Sequence, residues 1–189
     1  MKKFIGITKV AAAILLTCSA ISVVAAEVIR PELGSWPPKK ITAPTNKLVL
    51  EGIVDLDTHV AIGKSNKGYR GIAPIIGGEF HGKEGFKATV RSGGADWQLE
   101  RNDGVWELFA LYSITTDDGT NIVIDNRGVA VDPAGGGTPV QDWYIVTNPT
   151  FQAPIGKYDW LNKSQFVGTV DAAPDESYVI VRVYEVVPK

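Results

Sequence analysis

Cysteine is almost missing from this chain: Cys18 is the only one in 189 residues, and there is one methionine and two histidines. A lone thiol excludes an intrachain disulfide framework and a multi-cysteine metal site, and two imidazoles exclude a three-histidine zinc centre. Charge of one sign is missing as well. Nineteen Lys and Arg face twenty-one Asp and Glu, so no basic surplus exists to neutralise a phosphate backbone, and nucleic acid is not an expected partner. No apolar run reaches the ~20 residues that span a bilayer. What is present is a 44% hydrophobic content and a length that fits one domain with a real core.

The N-terminus reads as an export signal. Lys2, Lys3 and Lys9 precede an apolar stretch at residues 10–17, and Val24-Ala25-Ala26 offers the small residues that a signal peptidase accepts. Cleavage is expected after Ala26, which makes residues 1–26 a signal peptide and the protein periplasmic or secreted. Cys18 lies inside that segment and raises the alternative of a lipidated anchor, the one route to a membrane in this reading. Thr17 before it is bulky for such a site. Without its signal the chain has no cysteine, and 16 basic against 21 acidic side chains leave a net charge of −5.

Residues 27–46 carry Pro31, Pro37, Pro38 and Pro44 with no sustained period, the pattern of an extended leader. From residue 47 to 189 the punctuation changes to that of one all-β domain: β-branched and aromatic runs, each bounded by glycine, asparagine, aspartate or proline. Strands are expected near 47–56, 71–80, 86–91, 96–101, 105–115, 121–131, 140–147, 166–171 and 178–187. Asn102-Asp103-Gly104 and Asp117-Asp118-Gly119 are hairpin turns, which makes consecutive strands antiparallel neighbours. The glycine triplet at residues 135–137 belongs to a loop, and residues 159–163 form at most one helical turn.

The strand at residues 105–116 is apolar on both faces, with Trp106, Leu108, Ala110, Tyr112 and Ile114 on one and Phe109 and Leu111 on the other. A barrel uses such strands with one side lining a lumen and the other covered by loops or a second copy of the chain, so a homo-oligomer stays open as a partner. A two-layer sandwich is the alternative, but it calls for a cleaner polar outer side. The expected fold is an antiparallel β-barrel of about eight or nine strands with little helix.

Four stretches carry a more specific signal: GYRGIAPIIGGEFHG at 68–82, GGADWQLERNDGVWEL at 93–108, ALYSITTDDGTNIVI at 110–124 and FQAPIGKYDWLNKSQFVG at 151–168. In order and spacing they resemble the domain of unknown function family 3237, also called uncharacterised protein family 0311, over about residues 48–187. The resemblance implies a calycin-like or allene-oxide-cyclase-like barrel with a central cavity and no settled activity. Members usually carry arginine directly before the tyrosine that corresponds to Tyr112, and here Leu111 stands there. If that arginine meets an anionic ligand, this chain has lost the contact or takes a more apolar molecule.

Candidate chemistry centres on Asp96, between Ala95 and Trp97, and on Tyr112. A carboxyl turned into an apolar lumen gains a raised pKa and can act as acid or base, whereas one at a loop end anchors a turn. Trp97, Tyr144, Trp160 and Tyr184 are candidate walls of a ligand pocket, with Asn162 as a polar contact, and core packing is their alternative role. Arg182 sits on an apolar strand and must be paired, either with a buried carboxylate such as Asp96 or with a ligand. Asp55, Asp57 and His59 alternate like one side of a strand but equally like a polar strand end, and neither a metal nor a cofactor is expected. His81, a serine and Asp96 would have to form a hydrolase triad without any nucleophile-elbow sequence. Two functions stay open: a module holding a small apolar or aromatic molecule, and a cofactor-free cyclase, isomerase or lyase using Asp96 and Tyr112.

Overall fold

A computed structural model describes residues 43–188. The expected export signal, Cys18 and most of the proline-rich leader lie outside the described residues. The leader ends earlier than expected, because the first strand already includes Thr45 and Asn46.

Ten strands follow one another: β1 Thr45–Leu56, β2 Val60–Ser65, β3 Gly68–Gly82, β4 Lys87–Val90, β5 Gly94–Glu100, β6 Trp106–Thr116, β7 Asn121–Val131, β8 Tyr144–Gln152, β9 Phe166–Ala172 and β10 Tyr178–Val187. Every pairing is antiparallel, and they close into an eight-stranded barrel with two additional strands. Two staves of the barrel are broken strands. Residues 75–82 of β3 pair with β1 and residues 68–72 pair with β2, on the same flank. On its other flank β3 pairs first with β5 and then with β4, and both also pair with β6. Closure gives each stave of the ring a neighbour on both sides, which reduces the template for edge-to-edge association.

The hairpins expected at Gly104 and Gly119 are present, with both glycines at positive φ (83° and 84°) where a side chain would be strained. One strand is missing from the sequence reading. Residues 60–65 are mostly exposed and hold Gly63, so they show no core-facing period, and they become β2 only because β3 supplies a partner. The β8 boundary also differs. Residues 140–142 form a 3-10 turn, and the strand instead runs on to Gln152 through Pro149. Proline is tolerated there because β8 pairs with β9 only at Val146 and Thr147.

The barrel has a filled end and an open end, and residue size decides which is which. Phe80, Phe86, Ile114, Ile122, Phe151 and Phe166 pack the filled end. Leu161 and Tyr158 cap it from the segment between β8 and β9, with Phe86 edge-on to Tyr158 at 5.6 Å and Phe151 edge-on to Phe166 at 5.1 Å. Tyr158 also donates to Asp118 Oδ2 at 2.9 Å, which ties this segment to the β6–β7 turn. Toward the open end the inward positions are Val54, Ala73, Ala110, Val170 and Val179. These side chains are too short to meet across the lumen, and a cavity remains.

Candidate functional site

The cavity holds about 80 Å³ and is lined by fourteen residues of which nine are aliphatic. That is smaller than the roughly 300–1,000 Å³ that envelop a drug-sized ligand. It suits a small molecule, or one end of a larger molecule that enters from the open side.

Strand register explains the space. Ala73, Asp96, Ala110 and Asn126 are successive partners across β3, β5, β6 and β7, so they stand on one rung and share the inward face. The Asp96 carboxyl is flanked on both sides by a methyl group, and Ala110 alone separates it from the Asn126 amide. Tyr112 is two residues along β6 from Ala110 and therefore points inward one step nearer the filled end. Thr147 pairs with Gly128 and reaches the lumen from β8.

Three of these groups share a property that costs stability. Tyr112, Asn126 and Thr147 are 5%, 4% and 4% exposed. The Tyr112 hydroxyl, Asn126 Oδ1 and Thr147 Oγ1 are buried without a hydrogen-bond partner, and all three line the cavity. Each such orphan is unfavourable by about 1–3 kcal/mol. Among the described residues no other buried side-chain polar atom is left unpaired.

Asp96 is half-buried and its oxygens are engaged: Oδ1 accepts the Phe109 main-chain N–H at 2.8 Å and Oδ2 accepts Gln98 Nε2 at 3.0 Å. Burial raises its pKa above the usual carboxylate range, against these two bonds and the nearby His59 imidazole, which pull it down. The Tyr112 phenol is also raised, by burial first and by its proximity to Asp96 second. Tyr112 and Asp96 both line the lumen, yet they are not hydrogen-bonded to one another.

The other expected site residues lie elsewhere. Trp97 alternates with Asp96 and Gln98 and therefore faces outward, 45% exposed, on the rung of Ile72 and Val60. Tyr144 is 58% exposed at the start of β8. Trp160 and Asn162 belong to the filled end. Trp160 lies under Lys83 Nζ, 3.7 Å from the ring centroid, and Asn162 bonds both the N–H and the carbonyl of Ala153 at 2.9 and 2.8 Å. Arg182 and Tyr184 occupy the outer face of β10, because Val179 and Val181 take the lumen side. Arg182 is paired with Glu51 at 2.9 Å and with Asp171, not with Asp96. Leu111 likewise points outward, 42% exposed, so an arginine in its place would not reach the lumen.

Sequence reasoning missed Asn126, Thr147 and Gln98 as lining residues. For Asn126 a signal existed. Ile122 and Ile124 mark the inward face of β7, and Asn126 continues it, a polar group where an apolar one is due.

Residues 44–186 match the family described as protein of unknown function, DUF3237. The chain belongs to that family. A UPF0311 protein of Clostridium acetobutylicum is 32% identical over 142 residues, covering 70% of this chain and 88% of the relative. A solved structure of a protein with unknown function from the same organism superposes with a TM-score of 0.71 at 31% identity, covering 78% of this chain and 99% of the other. A β-barrel-like protein from Acinetobacter baumannii gives a TM-score of 0.69 at 27% identity, with 78% and 98% coverage.

Proposed function

We propose that this DUF3237 member is an exported barrel that holds a small, uncharged molecule in the open end of its lumen. The body of the guest is apolar or aromatic and packs on Val54, Ala73, Ala110 and Val179, and one polar group of the guest meets Tyr112, Asn126 and Thr147. The observation that carries this reading is the convergence of three orphaned polar atoms on one apolar cavity. A guest that bonds to them recovers their lost hydrogen bonds, which a filler of hydrocarbon alone does not. No lysine or arginine lines the cavity, and a carboxyl with a raised pKa opposes a second negative charge, so an anion is disfavoured. The export part rests on the lysines, apolar stretch and small residues of the first 26 positions. N-terminal sequencing of the secreted or periplasmic protein checks it, with Glu27 as the expected first residue.

A cofactor-free cyclase, isomerase or lyase is the second reading. The raised pKa of Asp96 favours it, since a carboxyl that is protonated more readily than usual can move a proton on a bound substrate. Binding is preferred because both Asp96 oxygens are spent on Phe109 and Gln98, and Tyr112 does not complete a pair with it.

Titration of the wild-type chain with a panel of small phenols, alcohols and ketones, followed by NMR, tests the reading. Panel members are expected to bind and to lose about tenfold or more in affinity with Tyr112→Phe or Thr147→Val, the scale of one lost hydrogen bond. Absence of binding across the panel, or affinities indifferent to both substitutions, contradicts it.

A further inference from the structure

His59 stands directly before Val60, which pairs with Ile72 on the outer face, so alternation turns His59 to the inside. Gly71 has the same orientation, because Ala73 and Ile75, two and four residues along β3, line the cavity. A Cβ on Gly71 would lie 2.2 Å from His59 Nε2 and 2.4 Å from Cε1. The imidazole thus occupies the place of a side chain at position 71, and it can do so because that residue has none. Gly71 is the partner of Gln98 and Ala73 that of Asp96, which puts the ring level with Gln98, between Asp96 and the open end. His59 itself is exposed. The imidazole also acts electrostatically on Asp96, consistent with that proximity.

We propose that His59 is a specificity-determining residue at the entrance of the barrel: its ring narrows the mouth over Gly71 and has to swing aside before a molecule passes to the cavity. The three atoms nearest a Cβ at Gly71 all belong to the imidazole, and an exposed side chain changes rotamer far faster than a barrel strand moves. Guests are then selected by width as they pass the imidazole and by hydrogen bonding once inside. The selection step rests on the proposed binding function, whereas the barrier itself does not.

A thiol reporter separates the two. In a Cys18→Ser background, which removes the chain's only cysteine, Thr147→Cys places a nearly isosteric thiol in the cavity lining. Its reaction with methyl methanethiosulfonate is followed by intact mass. His59→Ala is expected to accelerate labelling about tenfold, a modest lowering of an entry barrier. Gly71→Ala, whose methyl displaces the ring, is expected to accelerate it less, and His59→Trp to slow it. Ala110→Cys repeats the series at a second lining position, and unchanged melting temperatures show that global opening is not the route. Labelling rates equal in all His59 and Gly71 variants overturn the proposal, as does a thiol that stays unreactive in His59→Ala. Labelling that follows His59 while no small molecule binds would leave the barrier standing and remove the binding function.

Discussion

Asp96 Oδ1 accepts the main-chain N–H of Phe109 at 2.8 Å, and it does so where the β5–β6 ladder is interrupted. The paired residues are Asp96 with Ala110 and then Leu99 with Glu107, so Trp97 and Gln98 have no partners on β6. The carboxyl replaces a ladder acceptor, which makes it a structural group as well as a lining one. Asp96 is therefore both an anchor of local backbone and a carboxyl in the lumen.

The two roles are separable by pH. Because the folded-state pKa of Asp96 is raised, its contribution to stability is fully present below the ordinary aspartate pKa of about 3.9 and is lost as pH rises through the higher folded value. Asp96→Asn keeps an oxygen for Phe109 and carries no charge. The variant is expected to melt higher than wild type at neutral pH and at nearly the same temperature under acid conditions. A uniform shift at both, measured by thermal denaturation, would show that its ionisation is not penalised.

Tyr112→Phe and Thr147→Val each remove a buried hydroxyl that has no partner. In the guest-free protein each is expected to raise stability by about 1 kcal/mol, because an unmet desolvation penalty disappears. Urea denaturation checks this. Loss of stability in both would mean that the hydroxyls are satisfied within the fold.

Ala110→Val adds two methyl groups on the rung between Asp96 and Asn126. Filling a void costs little compared with the ~1–3 kcal/mol of overpacking a dense core, so the variant is expected to stay within about 1 kcal/mol of wild type. Binding of the phenol, alcohol and ketone panel is expected to vanish. Retained binding places the site outside this part of the lumen.

The filled end is expected to respond in the opposite way. Asn162→Ala loses two hydrogen bonds to Ala153 and Leu161→Ala empties a fully buried position. The costs are about 1–3 kcal/mol for the first and ~2–5 kcal/mol for the second. Denaturation midpoints measure them, and affinity for the panel is expected to be unchanged in whatever fraction remains folded.

Much of the barrel was legible along β6 and β10, where strict alternation sorted Leu108, Ala110 and Tyr112 from Phe109 and Leu111, and Val179 and Val181 from Arg182. Direction was not legible. A two-sided apolar strand does not state which face is the lumen, and that is why Trp97, Arg182 and Tyr184 were grouped with Asp96 although their register turns them outward. Arg182 finds Glu51 and Asp171 on neighbouring strands, partners set by pairing across 131 and 11 residues of chain. Trp160 and Asn162 were read as pocket groups because aromatic and amide side chains serve either end of a barrel equally well. Only the distribution of large and small inward residues distinguishes the filled end from the open one.

On the proposed function, the three orphaned polar atoms are kept for a guest. Native mass spectrometry of the chain purified from its own host without denaturation tests it most directly. The expected result is a discrete small-molecule mass carried by wild type and missing from the combined Tyr112→Phe and Thr147→Val variant. A bare wild-type mass, or an adduct that the combined variant retains, rules out the proposed binding of a guest by these groups.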